Sequence, residues 1–173
     1  MNALLKSPLP VTPSETPQQL KEKILLVDDE PAVRQMLSRL LTGEGYDVVP
    51  AINGVEAVEL ASHANFDLLL LDLNMPGLDG WETFEQVTEK NPLLPVIVIT
   101  ARPNQRFTAL AAGIGALMEK PLDLHKLFAT IRGLLDETDG VRIARMAGRP
   151  SEFRFVPPTM NEPYGNANPW RNH

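Results

Sequence analysis

The sequence predicts a doubly wound α/β domain over roughly residues 23–138, and two observations carry that expectation. Short apolar runs with little polar alternation recur along this stretch, and segments of helical periodicity separate them over short connections. The runs are Ile24-Leu25-Leu26-Val27, Val48-Val49, Leu68 to Leu71, Val96 to Ile99 and Ala116-Leu117-Met118, and such runs suit strands buried on both faces. After the first run, Val33, Met36, Leu37, Leu40 and Leu41 line one helix face, and Leu124, Leu127, Phe128, Ile131, Leu134 and Leu135 do the same after the last. Between them, Val55, Val58 and Ala61 predict a second helix, Trp81, Phe84 and Val87 a third, and Phe107, Leu110 and Ala111 a short fourth. Five strands alternating with five helices over such short links require a parallel sheet with helices on both faces.

The flanks differ in composition. Of 16 prolines, 9 lie in residues 1–22 and 139–173. Residues 1–22 therefore read as a disordered N-terminal tail, and residues 139–173 as a flexible C-terminal tail rich in Pro, Arg and Asn. Arg142, Arg145 and Arg149 recur near helical spacing, but an unstructured tail is the expectation there too. Charge follows the same division: residues 23–138 hold 9 Lys and Arg against 17 Asp and Glu, residues 139–173 hold 5 Arg against 3 acids, and the whole chain is −6. An acidic body argues against direct nucleic-acid binding, and 35 residues after position 138 are too few for a helix-turn-helix module of ordinary size. Without cysteine there are no disulfides or thiolate sites. No N-terminal apolar stretch suggests a signal peptide or membrane span, so a cytoplasmic chain with no membrane partner is expected.

In a doubly wound fold the ligand crevice opens at the carboxyl ends of the strands. The first predicted strand ends in Asp28-Asp29-Glu30, the third in Asp72, the fourth in Thr100 and the fifth in Lys120-Pro121. Each residue alone has an ordinary explanation. An acidic pair before Pro31 complements a helix dipole, Asp72 forms a turn, Thr100 caps a helix and Lys120 is solvated. Their arrival together at one sheet edge is what points to chemistry. Converging carboxylates repel, so a cation belongs among them, and Mg²⁺ suits a set of oxygen ligands that includes few carboxylates. A carboxylate beside a metal ion and the Lys120 ammonium, with a hydroxyl nearby, has the parts needed to receive a phosphoryl group, and Asp72 is the natural nucleophile.

Leu26-Val27-Asp28-Asp29-Glu30, then Leu71-Asp72-Leu73-Asn74-Met75-Pro76-Gly77-Leu78-Asp79-Gly80, then Thr100-Ala101, then Lys120-Pro121 resemble the signature of response-regulator receiver domains of two-component signalling. The resemblance spans about residues 23–138. It implies a CheY-like, flavodoxin-like five-stranded sheet in the order 2-1-3-4-5. It also implies that Asp28 and Asp29 hold Mg²⁺ together with Asp72 and the backbone carbonyl of Asn74, Asp29 directly and Asp28 partly through water. By the same resemblance Asp72 accepts phosphate from a histidine kinase or histidine phosphotransfer protein, Thr100 swings toward the phosphoryl oxygen, Lys120 pairs with it, and the Lys120–Pro121 bond is cis. Gly77 and Gly80 suit the tight loop after Asp72. An aspartyl phosphate adds charge and acceptor oxygens that Thr100 and Lys120 satisfy by moving inward, which makes the fourth-helix face the readout for a protein target.

Three features depart from the family. The 19 residues between Thr100 and Lys120 are slightly fewer than usual, so the loop and fourth helix should be shortened. Leu117 stands where the family commonly has Tyr or Phe. Arg102 borders the site with Asn74, where side chains govern the access of water to the acyl phosphate, so altered dephosphorylation is expected. His63, His125 and His173 lie away from the strand ends and read as surface residues.

The sequence therefore predicts a stand-alone, single-domain response regulator, a monomer or weak dimer that signals by protein–protein contact. It is not an enzyme beyond its own phosphotransfer and autodephosphorylation. The alternatives are a constitutive binding module with a weakened phospho-switch, and an aspartate-nucleophile phosphohydrolase. The latter lacks its proton donor, because Asn74 occupies the position two residues after the nucleophile where such enzymes carry an acid.

Overall fold

The computed structural model describes residues 21–77, 79–149 and 153–159. Its strands are β1 (Lys23–Val27), β2 (Asp47–Ala51), β3 (Leu68–Asp72), β4 (Val96–Thr100), β5 (Ala116–Glu119) and β6 (Arg154–Val156). They pair in parallel in the order β2-β1-β3-β4-β5-β6. The helices are α1 (Pro31–Gly43), α2 (Gly54–His63), α3 (Gly80–Glu89), α4 (Arg106–Ala111), α5 (Leu124–Leu135) and α6 (Asp139–Met146). None is long and apolar enough to cross a membrane.

The near-continuous apolar runs have a direct structural meaning. Successive strand residues point to opposite faces, so each run feeds two cores at once. Leu25, Val27, Leu69, Leu71, Val96, Val98 and Leu117 enter the core shared with Ala57, Val87 and Ala109 of α2, α3 and α4. Ile24, Leu26, Leu68, Leu70, Ile97, Ile99, Ala116 and Met118 enter the opposite one, with Leu37 and Leu41 of α1 and Leu127, Ile131 and Leu134 of α5. Each fully buried aliphatic side chain contributes about 1.5–3 kcal/mol, so a two-sided sheet draws its stability from nearly every strand position. Local signals set the helix starts. Asn53 Oδ1 accepts from the Glu56 amide at 2.9 Å while Glu56 Oε2 accepts from Ile52 N at 2.7 Å, and Asp123 Oδ1 accepts from Lys126 N at 3.1 Å. Pro31 opens α1, where no amide donor is needed. The fourth helix is short, as expected, with six residues.

The C-terminal expectation is corrected. Residues 139–146 form α6, and residues 154–156 form a sixth strand beside β5, in register Ala116↔Arg154, Leu117↔Phe155 and Met118↔Val156. A buried ionic clamp accounts for the difference from a free tail. Glu137, just past α5, has a side chain only 6% exposed, and its two oxygens meet Arg145 NH1 at 2.7 Å and Arg154 NH1 at 2.8 Å. Arg145 Nε also donates to the Gly113 carbonyl. Arg142 reaches the Leu134 carbonyl, which makes two of the three helically spaced arginines structural. Phe153 and Phe155 pack against one core and Val156 against the other, and the Arg106 guanidinium lies 5.1 Å from the Phe155 ring centroid. Residues 1–20 of the predicted N-terminal tail, and residues 150–152 and 160–173 of the C-terminal one, lie outside the described residues.

Glu137→Ala is expected to cost about 3 kcal/mol in urea unfolding, because it strips a partner from a buried ion pair. The Arg154 amide, which donates to the Gly115 carbonyl at 3.2 Å, should exchange faster with solvent in that variant, while β1 and β3 amides keep their order of protection. An unchanged midpoint with unchanged exchange at Arg154 would show that the clamp does not hold the strand.

Candidate functional site

The carboxyl ends of β1, β3, β4 and β5 bring together the residues the sequence singled out. Asp28 follows β1 and is 1% exposed, and Asp72 closes β3 at 2%. Asp29, next along, is more open to solvent. One oxygen from each of these three carboxylates lies within 4.8 Å of the other two. Lys120, after β5, reaches in from the far side, with Nζ 2.6 Å from Asp72 Oδ2 and 3.6 Å from Asp28 Oδ2.

Backbone groups fix this geometry. The Asn74 amide donates to Asp72 Oδ1 at 2.8 Å, which curls the loop after β3 around the carboxylate. The Glu30 amide donates to Asp28 Oδ1 at 2.8 Å, and Arg34, not anticipated from sequence, donates from NH1 to the Asp28 carbonyl at 2.6 Å. Arg34 sits on the first turns of α1, one turn beyond Glu30, and that spacing was the available signal. The Lys120 amide donates to the Thr100 carbonyl at 2.9 Å, and the Lys120–Pro121 bond is cis. Thr100 is fully buried at the end of β4. Its hydroxyl accepts from the Arg102 amide at 2.8 Å and donates to Asn74 Oδ1 at 3.4 Å. Arg102 turns its own side chain outward to Asp79 Oδ1 at 3.4 Å. Leu117 is buried in the core with no exposed surface.

Two glycines shape the loop after Asp72 for different reasons. Gly77 has φ +90°, a region side chains disfavour. At Gly80 the constraint is proximity, since a Cβ there would lie 2.7 Å from Leu73 Cα and 3.2 Å from the Asp72 carbonyl.

The electrostatics are unbalanced. Burial pushes the Asp28 carboxyl pKa up, the Glu30 amide and Lys120 oppose that rise, and the Asp72 and Asp29 charges add to it. For Lys120, burial alone would lower the pKa, but the hydrogen bond to Asp72 and the charges of Asp72 and Asp28 outweigh it and raise it. One ammonium faces three carboxylates, and Asp28 Oδ2 is buried with no hydrogen-bond donor. An orphaned carboxylate oxygen within an all-oxygen cluster is what a hard divalent cation satisfies, so the residues present fit Mg²⁺.

A doubly wound parallel sheet with this acidic pocket at its strand ends defines a phosphoryl-accepting signalling module. The family model described as the response regulator receiver domain matches residues 24–132, and the chain belongs to that family. Among curated relatives, the response regulator MprA of Mycobacterium leprae is 43% identical over 118 residues, covering 67% of this chain and 52% of that protein. MprA of Mycobacterium tuberculosis (strain ATCC 25177 / H37Ra) is 40% identical over 140 residues, covering 79% and 61%. The chain thus spans little more than half the length of the curated relatives it matches. Among solved structures, the CheY-like receiver domain protein of Methanospirillum hungatei superposes with a TM-score of 0.64 at 29% identity, over 68% of this chain and 95% of that one. The Thermotoga maritima response regulator TrrA, solved in complex with Mg(2+)-BeF, gives 0.61 at 32% identity, over 65% and 98%. Receiver domains bind Mg²⁺ in their acidic pocket and serve phosphorelay signalling, receiving phosphate from histidine kinases or phosphotransfer proteins.

A raised carboxylate pKa means that the folded state binds the proton more tightly than the unfolded chain does. The contribution of Asp28 to stability is therefore present at acidic pH and lost as pH rises through its folded value. Asp28→Asn should raise the Tm of the magnesium-free chain at neutral pH, by a margin that shrinks as pH falls from the raised folded value of Asp28 toward the ordinary carboxylate value, and should weaken the stabilisation that added Mg²⁺ provides. Calorimetry in chelator and in magnesium, across a pH series, checks both signs. Gly80→Ala should cost about 1–3 kcal/mol through overpacking against the Leu73 backbone, measurable as a lower urea midpoint.

Proposed function

We propose that this chain is a receiver that takes a phosphoryl group on Asp72 from a histidine kinase or histidine phosphotransfer protein, and signals through protein–protein contact. The observation that carries the reading is the position of Lys120 Nζ, 2.6 Å from Asp72 Oδ2 and within reach of Asp28, in a pocket of three carboxylates that one ammonium does not balance.

In the transfer, an Asp72 carboxylate oxygen forms the new bond to phosphorus while the bond from phosphorus to the donor's imidazole nitrogen breaks, its electron pair returning to the ring. Asp28, Asp29, Asp72 and the Asn74 carbonyl would hold Mg²⁺, which neutralises charge on the phosphoryl oxygens when bound. Lys120 exchanges its contact with Asp72 for one with a phosphoryl oxygen. The Thr100 hydroxyl, held by Asn74 and the Arg102 amide, turns to a second oxygen, and the segment from Arg102 to α4 follows it. Asn74 and the Arg102 amide meet the Thr100 hydroxyl, and in our reading residues 74 and 102 are the positions that govern access of water to the acyl phosphate. The chain acts in the cytoplasm as a monomer or weak dimer without binding nucleic acid directly, and its catalysis is confined to its own phosphorylation and dephosphorylation.

Acetyl phosphate is expected to label the native chain only when Mg²⁺ is present, adding one phosphoryl group by intact mass. Asp72→Ala should abolish the label, and Asp72→Asn should do so while preserving the fold by circular dichroism. Equal labelling of the native chain and Asp72→Ala would place the acceptor elsewhere.

A further inference from the structure

We propose that Thr159, carried by the segment after β6, is a positioning residue for Lys120, so that the C-terminal extension is part of the phosphoryl-accepting machinery. This rests on the reading of Lys120 as the ammonium that meets the phosphoryl group.

The extension runs along β5 from Ala116 to Met118, and the residues after it reach the Lys120–Pro121 turn. Pairing begins where the Arg154 amide donates to the Gly115 carbonyl at 3.2 Å, and it continues through Val156 opposite Met118. Pro157 and Pro158 follow, and neither has an amide hydrogen to donate, so the ladder stops there. Thr159 is the first residue beyond them that carries one. Its amide donates to the Pro121 carbonyl at 3.1 Å, and its hydroxyl donates to the same oxygen at 2.9 Å. The turn bearing Lys120 is therefore gripped from both sides. On the β4 side the Lys120 amide bonds to the Thr100 carbonyl at 2.9 Å, and on the outer side Thr159 holds the very next residue.

This grip has a mechanical origin that the Glu137 clamp supplies. Glu137 pins Arg154 at 2.8 Å, and Arg154 also donates to the Gly133 carbonyl of α5. The Arg106 guanidinium at the start of α4 sits over the Phe155 ring. One segment, β6 with the three residues after it, thus touches α4, α5 and the Lys120–Pro121 turn. Lys120 must hold its Nζ against Asp72 before transfer and let it shift to a phosphoryl oxygen afterwards, and alignment of this kind is sensitive to displacements of about 1 Å.

The test uses the full chain and three variants. Thr159→Pro removes both donors, Thr159→Val removes only the hydroxyl, and Thr159→Ser keeps both. With acetyl phosphate at saturating Mg²⁺, Thr159→Pro should be labelled about tenfold more slowly and Thr159→Val about threefold, as expected for losing two hydrogen bonds and one. Thr159→Ser should match the native rate, and magnesium affinity by titration calorimetry should stay within about twofold throughout, which a general loss of structure would not allow. If Thr159→Pro does not fold, Thr159→Val and Thr159→Ser carry the comparison. Native labelling rates in Thr159→Val and Thr159→Pro would overturn the proposal. A second readout needs no phosphoryl donor: the Lys120 ε-methylene resonances of the metal-free chain should move in Thr159→Val and not in Thr159→Ser. Unmoved resonances defeat the positioning role, whereas a native chain that takes no label while those resonances do move defeats only the reading of the site.

Discussion

The structure is organised around a charge conflict that the fold creates and does not resolve by itself. Asp28 and Asp72 are buried side by side with Asp29 at the rim, and a single ammonium faces them. At an effective dielectric of about 20, two like charges some 4 Å apart repel by roughly 4 kcal/mol. Hydrogen bonds from the Glu30 and Asn74 amides and the reach of Lys120 make the arrangement tolerable. The remaining need for positive charge is what tunes the pocket to a divalent ion. The loop after β3, the close packing at Gly80 and the tether from Lys120 N to Thr100 O all serve to hold carboxylates where water alone would separate them.

Much of this was legible in the sequence because the signals were local. Leu68 to Leu71 ends in Asp72, Val96 to Ile99 ends in Thr100, and a parallel sheet puts the ends of its strands on one edge whatever the side chains. The alternation of each apolar run between two cores is the period-2 geometry of a strand, so the five-stranded body needed no long-range information. Arg34 was missed because its role is a contact with a carbonyl six residues away, and only its spacing one turn past Glu30, not its residue type, hinted at it.

The C-terminal region was misread for a different reason. Prolines and arginines suggested a free tail, yet Phe153-Arg154-Phe155-Val156 alternates as a strand does, and Glu137 offers both arginines a common partner. Strand formation there depends on pairing Arg154 with Ala116, far back in the sequence, which composition does not reveal. Leu117 gains a new meaning in this setting. The position is a buried aliphatic, but its partner across the ladder is Phe155, so an aromatic ring does occupy that flank of the sheet, delivered by another strand and already engaged with Arg106 of α4.

The two outermost strands share one more property. β2 carries Pro50 in its fourth position, opposite Leu26, and β6 is only three residues long and runs directly into Pro157-Pro158. Exposed sheet margins are where unrelated polypeptides zip together through their main chains, and an imino acid in the margin interrupts that zipper. Among the described residues both margins of the sheet carry such an interruption, which shortens the backbone template they could offer to an extended neighbour.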